Sequence, residues 1–248
     1  MSLEAFIIGF IASALVGAYA MHKNSLTLSG WSAAVFIGTL LYGFAGGYAF
    51  FLLMVFFGSS SLISRFNPDK VSSKRTAVQV FANGLPAAIV AIFYGFLGYL
   101  ELYALMIASI GIATTDTWSS EIGRLSKHPP RHIFTLKPIK TGLSGGVTLL
   151  GFLASAGAAL LMTALSVPVV PSLPLLSGIF LFSFLGSVID SMLGVIQVKY
   201  KDILGDVTEL KTAAIEKHSG LSFLDNNLVN AYSNGLGILA FIIYITLL

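Results

Sequence analysis

Two aspartates stand where the chain is apolar and long enough to cross a membrane, a place where charge is costly. Asp116 follows an apolar run and opens "DTWSSEIG" (116–123), and Asp190 lies inside "LFSFLGSVIDSMLGVIQV" (181–198). Carboxylates directed into a pocket with few basic partners suit a hard cation such as Mg²⁺, which takes one or two carboxylates plus phosphate oxygens. The sequence therefore predicts Asp116 and Asp190 as catalytic residues and as ligands of Mg²⁺.

Simpler roles remain open for the carboxylates around residue 116. Asp116 is also a suitable N-cap for a helix formed by the residues that follow it. Glu121 is a further candidate catalytic carboxylate, although a salt bridge to Arg124 or Lys127 is the role that its position favours. Such local roles explain one residue at a time. They do not explain why polar residues occur at the same membrane level in five segments.

Neutral polar residues gather at the ends of other apolar segments. Asn226 and Asn230 share a helical face at i, i+4, and helix capping accounts only for Asn226. Asp190 and Gln197 are seven residues apart and also share a face. These positions predict one polar site for substrate and nucleotide, made by Asn83, Thr117, Thr141, Ser144, Ser191, Gln197, Asn226, Asn227 and Asn230.

A glycine-rich stretch, "KPIKTGLSGGVTLLG" (137–151), leads directly into an apolar helix. Glycines at Gly142, Gly145 and Gly146 let backbone amides approach a ligand, and a helix N-terminus adds unpaired N–H groups and a positive dipole end. We expect this loop to bind phosphate, with Lys137 and Lys140 as its cationic partners. The alternative is a structural role, in which the glycine-rich loop only connects to a closely packed membrane helix and binds no ligand.

Composition shows which elements must position these residues. Of the 248 residues, 56% are hydrophobic and only 10% are charged, whereas soluble domains carry about 25% charged residues. A spanning helix needs about 20 mostly apolar residues. The apolar runs predict an all-α transmembrane bundle of about eight helices, at 3–21, 27–43, 47–64, 77–97, 99–115, 145–166, 174–198 and 226–247. Merging the second and third runs gives a seven-helix alternative.

The basic residues separate the two sides of the membrane. With eight helices, every Lys and Arg falls in the connections 1–2, 3–4, 5–6 and 7–8, at Lys23, Arg65, Lys70, Lys74, Arg75, Arg124, Lys127, Arg131, Lys137, Lys140, Lys199, Lys201, Lys211 and Lys217. The positive-inside rule assigns these connections to the cytoplasm. We therefore expect a cell (inner) membrane protein with both termini outside and its polar site facing the cytoplasm.

Several classes of function are excluded or disfavoured. The chain has no cysteine, so it has no disulfide and no thiolate metal site. His128 and His132 lack a third histidine or a cysteine to complete a metal site. Ser119 and Ser120 lack the G-x-S-x-G context of a serine hydrolase. Topology explains the charge of the loops, so nucleic-acid binding is not expected.

Five motifs resemble one family in sequence and in order. They are "QVFANG" (79–84), "TTDTWSSEIGRLSKHPPR" (114–131), "KTGLSGGVTLLGFLAS" (140–155), "DSMLGVIQ" (190–197) and "NNLVN" (226–230). Together they are similar to the integral membrane family of phytyl-phosphate kinase. The resemblance implies a kinase that uses a nucleoside triphosphate, typically CTP, to convert a polyisoprenyl monophosphate such as phytyl phosphate to its diphosphate. Thr115, Ser119 and Leu143 depart from the family's usual residues, while the carboxylates and glycines are retained.

The residues and the resemblance both predict phosphate chemistry at the membrane surface, with lipid, isoprenyl phosphate and nucleotide as partners. We expect one integral membrane domain, 1–248, with a catalytic core at 77–248 and accessory N-terminal helices at 1–64. Asn83, Gln197 and Asn226 are expected to orient the attacking or transferred group. A cytidylyltransferase that forms a CDP-lipid is the first alternative. A transporter of a small anionic solute is the second, although transporters carry polar residues toward both membrane faces.

Overall fold

The computed structural model describes residues 2–66, 74–209 and 216–247. Within these ranges the helices are α1 (Leu3–His22), α2 (Leu28–Ser64), α3 (Ala77–Leu97), α4 (Leu100–Gly123), α5 (Leu149–Ser166), α6 (Leu173–Ile196) and α7 (Asn226–Thr246). Short strands lie in the connections: β1 (Arg131–His132), β2 (Gly146–Val147), β3 (Lys199–Lys201), β4 (Val207–Thr208) and β5 (Glu216–Ser219). The predicted all-α bundle is confirmed. Lys70 and Lys211 lie outside the described residues.

The longest helix, α2, consists of two arms that meet at Gly46, where φ is 83° and ψ is 177°. A Cβ added at Gly38 in the first arm would lie 3.1 Å from the ring of Phe50 in the second. Along a straight helix these positions would be about 18 Å apart. The rings of Tyr42 and Phe50 also meet edge-on, with centroids 5.8 Å apart. The chain therefore folds back at Gly46, and the second and third predicted segments are antiparallel neighbours.

Counted with two arms for α2, the described residues form eight helical segments, the first of the two predicted numbers. Among the described helices, α1, α2, α3, α5, α6 and α7 are long and apolar enough to cross a membrane. The exception, α4, carries Glu101, Asp116 and Glu121. It ends at Gly123, eight residues beyond the predicted end at 115.

The centre of the bundle is α4. All its residues from 103 to 115 are buried, and it contacts α2, α3, α5, α6 and α7. Two glycines permit this close packing: a Cβ added at Gly111 would collide with Ser183, and one added at Gly186 would collide with Ile112. Small residues at helix crossings are typical of membrane bundles, where close backbone approach replaces the hydrophobic driving force.

Buried polar side chains fix α4 against its neighbours. Ser109 Oγ donates to Asn234 Oδ1 at 2.7 Å, and Asn234 Nδ2 donates back to the Ser109 carbonyl at 3.0 Å. Thr115 Oγ1 donates to the Ser183 carbonyl at 2.8 Å. Polar groups buried without partners are costly, so these bonds disfavour sliding or rotation of α4. They set the membrane level of the residues that follow, including Asp116.

One end of the bundle, called here the cavity end, carries the α1–α2, α2–α3, α4–α5 and α6–α7 connections. The Thr27 amide donates to the Arg75 carbonyl at 3.1 Å, which joins the first two connections. In the third connection β1 pairs with β2, and in the fourth β3 lies between β4 and β5, all antiparallel. Every described Lys and Arg belongs to this end, which is the grouping that the sequence predicts.

The opposite end carries the short connections at Gly46, at Gly98 and between α5 and α6. Tyr48 Oη donates to the Leu165 carbonyl there at 2.6 Å. Both described termini reach this end, since Phe6 meets Phe44 edge-on beside the Gly46 turn and the last turns of α7 contact the start of α6. The two termini thus share an end, as predicted, and their location outside the cell stays a prediction.

Candidate functional site

A polar cavity of about 690 Å³ opens at the cavity end, and all four connections of that end contribute to its wall. It brings together most of the predicted site residues: Asn83, Asp116, Thr117, Glu121, Thr141, Gly142, Ser144, Gly145, Gly146, Ser191, Asp190, Asn226, Asn227 and Asn230. The N-terminal helices also supply a side of it, through Lys23, Asn24, Ser25, Ser61, Ser64 and Arg65. Segments far apart in sequence therefore form one site.

Asp116 on α4 and Asp190 on α6 both line the cavity, and their carboxyl groups lie within hydrogen-bonding reach of each other. On α7, Ser233 lies beside this pair, and its Oγ donates to Asp190 Oδ2 at 3.0 Å. Two carboxylates at this separation repel when both are ionised, so a shared proton or a cation between them stabilises the pair. Because α4 continues without a break through Asp116, this residue is not an N-cap. The alternative role for Asp116 is thereby removed.

Three asparagines, Asn83, Asn226 and Asn230, line the cavity together with the carboxylate pair. In one amide orientation Asn230 Nδ2 donates to Asn83 Oδ1 at 3.3 Å; in the other it donates to Asp190 Oδ2 at 3.1 Å. The N-cap of α7 is Asp225, whose side chain accepts from the Leu228 amide at 2.9 Å. Asn226 is therefore not needed as a cap, and it lines the cavity.

The glycine-rich loop turns at two residues with positive φ, Gly142 at 89° and Gly145 at 85°. Gly145 packs against α6 so closely that an added Cβ would lie 2.7 Å from a methyl carbon of Val195. The backbone amide and the hydroxyl of Ser144 both donate to the carboxylate of Glu209, the hydroxyl at 3.0 Å. The loop thus presents two converging donors to an anion, here a carboxylate. Strand β2 separates the loop from the start of α5 at Leu149, and phosphate binding by the loop stays a prediction.

The two lysines of this stretch have other positions. Lys137 and Lys140 are exposed, and neither is among the described residues that line the cavity. Lys140 forms an exposed salt bridge with Asp206 at 2.8 Å, and this hydrogen bond raises the pKa of Lys140. Exposed ion pairs contribute little, so the bridge is a weak link between two connections. The structure does not place these lysines as phosphate ligands.

Arg75 is one of the cations that line the cavity, with Lys23, Arg65 and Arg124. It lies just before α3, lines the cavity, and donates to Ser61 Oγ at 3.3 Å. Burial lowers the pKa of its guanidinium, while the negative charge of Glu121 raises it. Arginine still remains charged at any physiological pH. Glu121 is buried and also accepts from Ser64 Oγ at 3.1 Å, so it belongs to this side of the cavity.

One predicted residue lies elsewhere. Gln197 follows the last residue of α6, is 2% exposed, and is not among the described cavity-lining residues. Its backbone packs against Gly220, where an added Cβ would collide with the Gln197 carbonyl. Gln197 keeps a helical φ of −61° and so shares a face with Asp190, but seven residues place it about 10 Å further along the helix axis, outside the described cavity wall. Gln197 therefore does not orient a ligand in this cavity.

Sequence reasoning missed Arg75, Glu209 and Ser233 as members of the site. Arg75 is one basic residue among several near the α2–α3 connection, and topology alone accounted for it. Glu209 lies in the polar α6–α7 connection, where a carboxylate is an ordinary surface residue. Ser233 had a signal, because it lies three residues after Asn230 and so on the same helical face.

A divalent cation fits this site only together with ligand oxygens. Among the described residues no three His, Cys, Asp or Glu side chains are grouped as a metal site. The carboxylates of Asp116 and Asp190, with neighbouring amide and hydroxyl oxygens, match the usual contribution of a protein to Mg²⁺, in which phosphate and water complete the shell.

Fold and site together define a polytopic membrane protein with a carboxylate-containing polar cavity at one end. The chain belongs to the family described as integral membrane protein DUF92, whose model matches residues 11–238. The membership in an integral membrane family expected from the five motifs is confirmed.

Curated relatives cover nearly the whole chain. Protein PGR of Arabidopsis thaliana is 32% identical over 270 residues, which span 92% of this chain and 91% of that protein. An uncharacterised membrane protein of Methanocaldococcus jannaschii is 31% identical, over 99% of this chain and 98% of its own. A third relative, an uncharacterised membrane protein of Synechocystis, is 24% identical over 87% of this chain and 81% of its own length. No solved structure matches the chain.

Proposed function

We propose that this protein is a membrane-embedded kinase that transfers a phosphoryl group from a nucleoside triphosphate, CTP in the simplest case, to a polyisoprenyl monophosphate such as phytyl phosphate. The observation that carries the proposal is the pairing of Asp116 with Asp190 in a cavity that is also lined by the glycine-rich loop. The five motifs that resemble the phytyl-phosphate kinase family support the same reaction. The proposed active site faces the cytoplasm, where nucleotide is available.

The glycine-rich loop is the proposed nucleotide subsite. The amide and hydroxyl of Ser144 donate to the carboxylate of Glu209, and a nucleotide phosphate would replace this carboxylate. Asp116 and Asp190 would hold Mg²⁺, which supplies charge neutralisation for the phosphates when bound. Asn83, Asn226 and Asn230 line the same cavity as the pair and would orient the acceptor phosphate.

The transfer needs no nucleophilic side chain. An oxygen of the lipid monophosphate attacks the γ-phosphorus of CTP, the bond to the β,γ-bridging oxygen breaks, and CDP leaves with the electron pair. Catalysis of such a transfer consists mainly of positioning and charge stabilisation. Arg75 adds a fixed positive charge to the cavity, and Glu121 holds that guanidinium electrostatically.

The test uses purified protein in lipid nanodiscs with CTP, Mg²⁺ and a panel of isoprenyl monophosphates. Formation of the lipid diphosphate with release of CDP is expected from the wild type. Asp116→Asn and Asp190→Asn should each lower kcat by at least about 100-fold, since removal of one key electrostatic partner commonly has this effect. Asp206→Asn is the matched control, because this carboxylate is exposed and outside the cavity wall.

Product analysis separates the alternatives. Release of pyrophosphate with a CDP-lipid would replace the kinase by a cytidylyltransferase. Solute uptake into liposomes without nucleotide turnover on any isoprenyl phosphate would replace it by a transporter. Equal rates for the two aspartate variants and the wild type would overturn the metal assignment in either enzyme.

A further inference from the structure

A second, smaller cavity of about 90 Å³ adjoins the polar cavity and is called here the side cavity. Its walls come mainly from α1, both arms of α2 and the first half of α3, and Leu26, Arg75 and Thr117 complete them. Most of its lining is apolar, with Ala34, Ile37, Leu53, Met54, Phe57 and Val80 as examples. The N-terminal helices, expected from the sequence to be accessory, thus form an apolar space beside the site.

The two cavities share four residues. Arg75, Gln79, Asn83 and Thr117 line both. All four are polar, while the lining beyond them in the side cavity is apolar apart from Ser13. The lining therefore changes from charged and polar to apolar across one boundary. A ligand that fits both spaces must be an amphiphile whose anionic head adjoins a hydrocarbon chain.

The volume of the side cavity limits how much of the chain it holds. A cavity of about 150 Å³ lined by aliphatic and aromatic residues binds a benzene ring. In proportion, 90 Å³ accommodates about four carbons, close to the five of one isoprene unit. Such a cavity is too small for a whole polyisoprenyl chain. It suits the unit attached directly to the phosphate.

We propose that the side cavity binds the phosphate-proximal isoprene unit of the lipid substrate, with Arg75 as the ligand of its phosphate; this inference rests on the proposed function. Arg75 is well placed for that role. Its amide donates to the Ser25 carbonyl at 3.0 Å, and its guanidinium lies over the Phe57 ring, 5.5 Å from the centroid. Both contacts fix it at the boundary between the two cavities.

This arrangement separates the lipid from the nucleotide. Arg75 stands on the side built by α1, α2 and α3, whereas the glycine-rich loop packs on α6 through Gly145 and Gly194. The central helix α4, which carries Asp116, contacts both α3 and α6. The acceptor phosphate and the nucleotide thus approach Asp116 from different sides. The N-terminal helices become part of the substrate site in this assignment.

The test fills the side cavity and measures binding directly. Ala34→Phe introduces a ring into its wall, and Ala18→Phe makes the same change at an exposed position of α1 as the matched control. The probe is geranyl monophosphate, with inorganic phosphate and CTP as ligands that lack an isoprene unit. Affinity is measured in nanodiscs by displacement of a radiolabelled geranyl monophosphate.

Ala34→Phe should bind geranyl monophosphate at least about 10-fold more weakly, because about four buried methylene equivalents are lost. The control should bind it like the wild type, and both should bind CTP alike. Ala34→Leu, a smaller filling, should give an intermediate loss and covers the case in which Ala34→Phe does not fold. A photoreactive group on the first isoprene unit should label peptides from α1 or α2.

Equal binding of geranyl monophosphate by Ala34→Leu, Ala18→Phe and the wild type would overturn the inference, even with full kinase activity. Absence of binding by the wild type would also overturn it. Normal CTP-dependent turnover by Ala34→Phe would leave the proposed kinase activity intact and reject only the proposed role of the side cavity. Specific loss of geranyl monophosphate binding without any kinase activity would support the side cavity and reject the kinase.

Discussion

Replacing Gly46 by alanine tests the antiparallel arrangement of the two arms of α2. Gly46 has φ 83° and ψ 177°, a region essentially restricted to glycine. Holding another residue there costs on the order of 1–3 kcal/mol. A Cβ added at this position would have no heavy atom within 4 Å, so steric collision contributes nothing. Gly46→Ala should therefore lower the free energy of unfolding by about 1–3 kcal/mol through the backbone alone.

Gly58→Ala provides the matched control within the same helix. Gly58 is exposed, lies in the helical second arm, and also has no heavy atom within 4 Å of an added Cβ. Alanine in a helix interior is favoured over glycine by about 0.5–1 kcal/mol. Gly58→Ala should therefore stabilise the protein, and the two variants should differ by about 1.5–4 kcal/mol.

The assay is reversible unfolding in mixed micelles with increasing SDS, followed by circular dichroism and by fluorescence of Trp31 and Trp118. These two tryptophans report on the pairing of α2 with α1 and α4, through bonds to the Ala14 carbonyl and to Ser59 Oγ. If Gly46→Ala stabilises the protein as much as Gly58→Ala, residue 46 is helical. The 37 residues of α2 would then form one continuous helix. The part of the cavity wall that is assigned to the second arm of α2 would then be placed incorrectly.

Three further predictions follow from individual contacts. Glu209→Gln should lower the KM for nucleotide by about 5-fold in steady-state assays, because a neutral side chain competes less well than a carboxylate with the nucleotide phosphate for the donors of the glycine-rich loop. A raised KM would assign Glu209 to ligand binding instead. Ser109→Ala should cost about 1–3 kcal/mol of unfolding free energy in the SDS assay, since Asn234 Oδ1 loses its donor in a buried position; an unchanged midpoint would contradict the role of this pair. Arg75→Gln should reduce kcat/KM for the lipid phosphate at least about 10-fold, because a charge-assisted hydrogen bond contributes about 1.5–3 kcal/mol. Lys140→Gln should leave kcat/KM unchanged; a larger loss in Lys140→Gln than in Arg75→Gln would restore the lysine as the phosphate partner.

The sequence predicted the helices well because lipid imposes simple rules on length and charge. Apolar runs of about 20 residues and the position of basic residues were enough for the segments and their common end. The same rules do not determine where a helix ends when its last turns are polar. For this reason α4 continues to Gly123, whereas α6, whose last turn is apolar, ends at Ile196, two residues before its predicted end.

The site was predictable where a polar residue stood in an apolar segment. Asp116, Asp190 and Asn230 were visible as exceptions to their surroundings, and the structure brings them together. Arg75 and Glu209 were not visible, because charged residues are ordinary in loops. Their importance depends on burial and on partners from distant segments, such as Glu121 for Arg75 and Ser144 for Glu209. Neither property is encoded in local spacing.

The enclosure of α4 has a consequence for how the protein responds to its membrane. Because its residues 103–115 are buried and other helices surround it, α4 has little contact with lipid acyl chains. Changes in bilayer thickness act by tilting or deforming the helices that face lipid. Asp116 continues from the enclosed segment, and its distance from the surface is set by protein contacts. The carboxylate pair is thereby insulated from hydrophobic mismatch, and the same site geometry can be maintained in thin and thick bilayers.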